Sequence, residues 1–477
     1  MNTSAPSPEA SPELRDIQEQ LKALTVRWSL RKELDEGRAR ALRRRAAELC
    51  HEHYRAHIPA YGKVCERMRV AGPASFDTIR AKLLVPDDLF KSYPQKTLDE
   101  GRFDLMNEWV SRISSVRVAF DTTGITNIDQ WIDRMEERAK VRLVFSSGTS
   151  GHISFVPRDE ATWRAFTELP FLYVAAGLGH RGLLPKWKFS VVKQLGKRLP
   201  SSTYAGVVKR HGLRSRDGFL FNFAGGNQGV QLAGHEIGKL TRTAHFLYRQ
   251  RMSAAAVRAM LRGPKDSAER LLVDEFLDAT VKQKAENYAR MLSALQASAR
   301  QGNRVLVFGT PAVLVEACRF LEEKNERILL PEGSTVSYGG GWKSFSGERI
   351  SEAALIALLQ RSFGVQKNAV IDSYSMTEIH GIMQKCAEGR FHVPPFLEAI
   401  VYDEALVAKS GDDVQGTLGF VDPFAVSYPG FILTGDNVRL LRKPCACGLP
   451  GETILRVERS PGKDVKGCGG IMARVNA

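Results

Sequence analysis

Phe145-Ser-Ser-Gly-Thr-Ser-Gly151 runs straight out of the apolar stretch 141–145. Six consecutive small residues let the backbone turn tightly, approach a ligand closely and aim several N–H and hydroxyl donors at one anion. An anion held by so many neutral donors reads best as a phosphate, with a plain flexible turn as the alternative. The loop contains no lysine, so it is not the Gly-x4-Gly-Lys-Ser/Thr turn of the P-loop enzymes.

Outward from that loop, apolar runs alternate with helix-patterned stretches. Strands are expected over 141–145, 304–308, 335–338 and 368–373, and helices over 253–261, 267–300, 311–324 and 352–363. That alternation predicts an α/β fold with largely parallel sheets. After about 390, shorter strands take over as a small β region, at 397–401, 416–420, 430–433 and 438–441. Residues 13–70 carry helical periodicity broken at Ile58-Pro59, and 83–91 reads as a strand turning into a helix at Pro86 and Asp87. The Gly-rich or basic stretches 179–198 and 217–234 are expected to be loops.

Hydrophobic content of 43% and charged content of 25% over 477 residues are those of a globular chain of two or three domains, or one large one. No apolar run approaches the roughly 18 residues of a membrane span. Residues 1–12 have neither a basic start nor an apolar segment, so a disordered tail is expected, not a signal peptide, and a cytoplasmic location with it. A net charge of +15 favours anionic partners. The densest basic block, Arg38–Arg45, reads as a solvated helix face, and no nucleic-acid signature accompanies it. Seven cysteines in a chain of this kind point to free thiols, a metal site or a catalytic thiol, not to a disulfide framework.

Four loops are expected to follow strands: Ser146–Gly151, Gly339-Gly-Gly-Trp-Lys343, Tyr374-Ser-Met-Thr-Glu-Ile-His380 and Thr434-Gly-Asp436. Ligands of open α/β sheets bind at the carboxyl ends of strands. The triple glycine offers a flat surface for adenine, Glu378 a hard oxygen ligand for Mg²⁺, and Asp436 an acceptor for two ribose hydroxyls.

Ser-Ser-Gly-Thr-Ser-Gly, Tyr-x-Met-Thr-Glu and Thr-Gly-Asp, in this order and at these separations, resemble the core motifs of the adenylate-forming enzymes, which include acyl-CoA synthetases. More narrowly, several segments are similar to the bacterial acyl-protein synthetases, the ligase component of the bioluminescence fatty acid reductase. These are Pro86-x-x-Leu-Phe-Lys91, Gly-Gly-Gly-Trp-Lys343, Cys386-x-x-Gly-x-x-His-Val-Pro-Pro395, Asp422-Pro, Tyr428-Pro-Gly-Phe-Ile-Leu-Thr-Gly-Asp436 and Lys466-Gly-Cys468, and the likeness spans roughly residues 55–477. It implies an α/β adenylate-forming large domain over 13–436, with parallel or mixed sheets, flanking helices and a small β region. A short C-terminal segment follows over 437–477.

The resemblance also implies roles. Ser146, Ser147, Gly148, Thr149, Ser150 and Gly151 would hold the β- and γ-phosphates of ATP. Gly339, Gly340, Gly341 and Tyr374 would flank adenine beside Thr377, Glu378 would bind Mg²⁺, and Asp436 the ribose. A fatty acid carboxylate would attack the α-phosphorus, a step carried by positioning and charge neutralisation. The superfamily's phosphate loop usually continues into Pro-Lys-Gly, whereas this one continues His152-Ile-Ser-Phe-Val-Pro-Arg158. Lys343 or Arg158 could supply the missing cation, and His380 could be structural or catalytic.

Only 41 residues follow Asp436, too few for the mobile C-terminal domain of typical acyl-CoA synthetases. The acyl-protein synthetases match that truncation, and there a cysteine near the C-terminus accepts the acyl group as a thioester. Cys468 fits by position and chemistry: flanking glycines give the thiol reach, and Lys463 and Lys466 favour its thiolate. An inert surface cysteine is the alternative. Cys386, His392, Cys445 and Cys447 form the Cys3His inventory of a closed structural Zn²⁺ site, or else unmetallated core cysteines.

The function expected is therefore ATP-dependent activation of a fatty or other carboxylic acid, thioester formation on Cys468, and transfer to a partner protein such as a reductase or carrier. Transfer from the adenylate to CoA, a carrier protein or an amine, and a non-catalytic scaffold, are the alternatives.

Overall fold

The computed structural model describes residues 7–146, 152–211, 213–340 and 350–459. The helical periodicity near the N-terminus resolves into Pro12–Arg31, Glu36–His57 and Pro59–Arg67. Ser11 and Asp35 cap the first two by accepting from the N–H groups of Leu14 and Arg38. Pro59 lacks the N–H that would carry the second helix further.

The strand turning into a helix expected over 83–91 is β1 (Val85–Pro86) followed by one 3₁₀ turn, Asp87–Lys91. β2 (Arg142–Ser146) and β3 (Ser154–Arg158) make an antiparallel hairpin, Phe145 opposite Phe155. Then come β4 (Asp217–Gly225), β5 (Thr243–Arg251), β6 (Val305–Gly309), β7 (Thr335–Gly339), β8 (Val370–Tyr374) and the short β9 (Met383–Gln384). Among the described residues these form one sheet ordered β5-β4-β6-β7-β8-β9, parallel except for β9. Parallel neighbours need long crossovers, and the helices Gly229–Gly238, Lys284–Arg300, Pro311–Glu323 and Glu352–Phe363 supply them.

β10 (Phe391–His392), β11 (Glu398–Tyr402), β12 (Asp413–Val421), β13 (Phe431–Leu441) and β14 (Thr453–Arg459) build a second sheet. Its order is β10-β14-β13-β12-β11, antiparallel, with β1 laid parallel against β13. The two short strands expected at 430–433 and 438–441 are one continuous strand. Thr434-Gly-Asp436 therefore lies within a strand and not in a loop after one, and the expected boundary at 436/437 falls inside β13.

Two stretches expected as loops are regular elements. Residues 217–234 hold β4 and the start of Gly229–Gly238, and 179–198 holds Lys186–Arg198. β4 sits between β5 and β6 and is buried along most of its length, so it shows no polar alternation. Its neighbouring glycines mark close packing instead of turns. A Cβ on Gly234 would lie 1.8 Å from Asn222 Nδ2, and one on Gly238 2.8 Å from Leu220 Cδ1, so both let the helix settle on the strand.

Asp217 fixes the start of β4. Burial alone would raise its pKa, but hydrogen bonds from Arg242, Ser298 and Thr243 outweigh that and bring it from 3.8 to about 2. Because the folded value is the lower one, the stabilisation is present above about pH 4 and is lost as pH falls toward 2. Asp217→Asn is expected to flatten the acid limb of a stability-versus-pH curve between those values, as measured by urea unfolding.

Candidate active site

Ser146 ends β2, its Oγ 2.9 Å from Ser154 Oγ on β3. The neighbouring Phe145 N–H donates to Asn227 O at 2.8 Å, which ties the hairpin to the turn after β4. The loop residues Ser147, Gly148, Thr149, Ser150 and Gly151 lie outside the described residues, as do Gly341, Lys343 and Cys468.

Gly339 ends β7 opposite Ser373 of β8, where a Cβ would lie 3.1 Å from Ser373 O. Gly340 adopts φ +85°, a left-handed conformation that favours glycine. Tyr374 ends β8 and donates from its hydroxyl to Asp436 Oδ2 at 2.8 Å, both side chains buried. That bond joins the parallel sheet to the middle of β13. In β13 the Asp436 N–H donates to Thr434 Oγ1, and the Thr434 hydroxyl to Leu418 O.

Arg158, at the end of β3, has no exposed surface, yet carries a charge. Its Nη2 donates to Thr377 O and to Tyr428 OH, the latter at 3.2 Å. Its guanidinium lies 4.3 Å from the Phe166 ring centroid and 5.4 Å from that of Tyr428. Burial lowers its pKa, while Tyr428, Glu378 and Asp422 act the other way. Nε and Nη1 meet no acceptor among the described residues. Buried donors of a charged group are costly to leave unmade, so this guanidinium is suited to an anion the protein does not itself provide. Glu378 is buried on the same turn, whose backbone the Tyr428 hydroxyl holds at 3.1 Å. Thr377 packs so closely on the helix from Gly229 that a Cβ there would lie 2.9 Å from its Oγ1.

The structure thus brings Ser146, Gly339, Gly340, Tyr374, Thr377 and Glu378 onto linked strand ends and the turn after β8, with Asp436 joined to them from the middle of β13. Sequence reasoning left His380 open, and its geometry is structural. Nδ1 and the backbone N–H both bond Asp422 Oδ2, at 2.9 and 2.7 Å, and Nε2 bonds Thr162 O at 3.1 Å. No ring nitrogen is left over for a ligand. Burial would raise the Asp422 pKa, but His380 outweighs it and holds the carboxyl below its ordinary range. The sequence signals for this brace were the Asp422-Pro pair and Tyr428-Pro-Gly; their part in holding the 378–380 turn was not readable.

A second cluster stands where the two sheets meet. Cys386 follows β9, His392 ends β10, and Cys445 and Cys447 sit between β13 and β14. One ligand atom from each lies within 4.8 Å of all the others. Cys386 Sγ and Cys445 Sγ are 3.7 Å apart, and Cys447 Sγ is 3.2 Å from His392 Nε2. Two thiolates on one tetrahedral Zn²⁺, at about 2.3 Å each, stand about 3.8 Å apart, so the donor set fits that ion. The first helix leans on this knuckle through Trp28 Nε1 to Pro450 O and Lys32 Nζ to Cys447 O.

Residues 271–476 match the family described as "Acyl-protein synthetase, LuxE", so the resemblance read from the motifs holds over that part of the chain. The long-chain-fatty-acid–luciferin-component ligase of Aliivibrio fischeri is 29% identical over 174 residues, 36% of this chain and 46% of that one. Its Vibrio harveyi counterpart is 24% identical over 190 residues, 40% and 50% respectively. The chain therefore spans about half the length of these relatives. Among solved structures, 2-hydroxyisobutyryl-CoA ligase with 2-HIB-AMP and CoA in the thioesterification state superposes with TM-score 0.50 at 13% identity, over 91% of this chain and 70% of that one. The fold is that of the adenylate-forming ligases. No helix among the described residues is long and apolar enough to cross a membrane.

Proposed function

We propose that this chain activates a fatty or other carboxylic acid with ATP, carries the acyl group on Cys468 and hands it to a partner protein. The observation that carries this reading is the joint between Tyr374 and Asp436. It sets a buried aromatic ring and a buried carboxylate beside the Gly339–Gly340 step, one strand from the turn holding Glu378. An adenosine fits that arrangement, the base against glycine backbone and the tyrosine ring, the ribose hydroxyls on the carboxylate.

In this mechanism a carboxylate oxygen attacks the α-phosphorus of ATP, the bond to the bridging oxygen breaks, and pyrophosphate leaves with the electron pair. The Ser146–Gly151 donors and Arg158 hold the phosphate charge as it shifts, work that depends on donors fixed beforehand. Glu378 would hold Mg²⁺, which neutralises phosphate charge when bound. The Cys468 thiolate then attacks the acyl carbon and AMP departs, leaving a thioester. Intact mass spectrometry after incubation with ATP, Mg²⁺ and a panel of carboxylic acids tests the whole sequence. An acyl adduct mapped to Cys468 is expected, and an unmodified chain across the panel contradicts the thioester step.

We also infer that Cys386, His392, Cys445 and Cys447 hold a structural Zn²⁺ that pins the β13–β14 loop to β9 and β10. One zinc per chain is expected by elemental analysis. Cys447→Ser should lose the metal and lower the melting temperature, because the folding free energy of such a knuckle is largely metal-binding free energy. A metal-free wild-type protein with an unchanged melting temperature contradicts the assignment.

A further inference from the structure

Between Glu168 and Asp217 the chain contains no acidic residue, yet it carries five lysines and five arginines. Ten of the fifteen net positive charges are thus concentrated in about a tenth of the chain. The segment folds into the helices Lys186–Arg198 and Ser201–His211, which Lys188 fastens together by donating to His211 O and Ser215 Oγ, both at 3.3 Å. Trp187 is 70% exposed and Val191 48%, one helical turn apart on one face. Lys186, Lys197 and Arg198 on that helix pair with no carboxylate among the described residues. Lys193 and Lys197 also line a groove of about 520 Å³ with Arg27, Arg31 and Lys32, in which Glu33 is the single acid.

An exposed indole costs hydration free energy, and the exposed cations Lys186, Lys193, Lys197 and Arg198 crowded on one helix repel one another. Both costs are offset by the same thing, an anionic surface with an apolar interior behind it. From this surface we propose that the helix Lys186–Arg198 docks the protein on anionic phospholipid. Trp187 and Val191 enter the headgroup boundary, and lysines snorkel to the phosphates around them. Charge complementarity favours a bilayer over an acidic protein here. The cations are spread over two helices and a neighbouring groove, around only two apolar side chains. A standard protein interface has an apolar core flanked by a polar rim and buries about 800 Å² per partner. The inference rests on the proposed function only in that a fatty acid, itself an amphiphile, would be collected at such a surface.

The test is co-sedimentation of the full chain, without ATP or acid, with vesicles of phosphatidylcholine alone or with about a third phosphatidylglycerol. Binding is expected only to the anionic vesicles, and it should be released as salt rises from about 0.05 to 0.5 M. Lys193→Gln with Lys197→Gln should weaken it about 25-fold, since each cation near such a surface is worth about fivefold. Trp187→Ala should weaken it about tenfold through lost apolar burial. Because these side chains are exposed, the variants should keep the wild-type melting temperature. Absent vesicle binding, binding unaltered in the variants, or capture by polyglutamate in place of vesicles would overturn the proposal. Acid-dependent pyrophosphate release, measured in solution, is independent of each of these outcomes.

Discussion

Arg158→Met is expected to cut acid-dependent pyrophosphate release by roughly a thousandfold, the scale on which removing one fixed transition-state donor acts. The guanidinium is fully buried, held on the faces of Phe166 and Tyr428, and bonded through Nη2 to Thr377 O. Two further N–H edges, Nε and Nη1, have no acceptor among the described residues. A charge kept in that state is suited to an incoming phosphate. Arg158→Lys keeps a point charge but not the planar fork, and should recover at most a tenth of the activity.

A structural role alone predicts something different. Methionine there takes the donor away from Thr377 O and Tyr428 OH, which should lower the melting temperature while leaving the chemistry intact. Pyrophosphate release within a few-fold of wild type, with melting lowered, would reduce Arg158 to a strut.

Cys468→Ala is expected to abolish acyl labelling of the protein while leaving acid-dependent pyrophosphate release within about twofold. Adenylation needs the strand-end site; the thiol enters only when the adenylate is broken down. A free thiolate is the competent nucleophile, and Lys463 and Lys466 place cations near it in sequence. With the thiol gone the adenylate has no internal acceptor, so it should persist in the site or hydrolyse slowly. Labelling that survives in Cys468→Ala, or that moves to Cys386, Cys445 or Cys447, would place the acceptor elsewhere. Labelling and pyrophosphate release lost together would make Cys468 a structural residue.

The site was legible in the sequence where its chemistry is packed into a few adjacent residues. Gly339–Gly340, Tyr374 and Glu378 lie at the ends of apolar runs, and strand ends are where an open sheet places ligands. Asp436 was legible by residue type, although its surroundings were misjudged: Gly435 looked like a turn and stands inside β13. The Cys/His cluster was legible because Cys and His are scarce, so four of them converging from 386–447 stand out. β4 was not legible, because Phe219, Phe221 and Phe223 alternate with residues that are buried too, and glycines that accommodate a helix look the same as glycines that turn a chain. The His380–Asp422 brace, 42 residues apart, is a tertiary fact with no local pattern. Lys343, the other candidate cation, lies outside the described residues, and the burial of Arg158 is something periodicity around a single arginine does not report.

Exchange of labelled pyrophosphate into ATP, with and without a carboxylic acid, tests the central claim most directly. The account predicts label in ATP only when an acid is present, strongly reduced by Arg158→Met and retained in Cys468→Ala. Exchange absent with every acid in a chain-length series, from a folded protein that binds ATP, would contradict it.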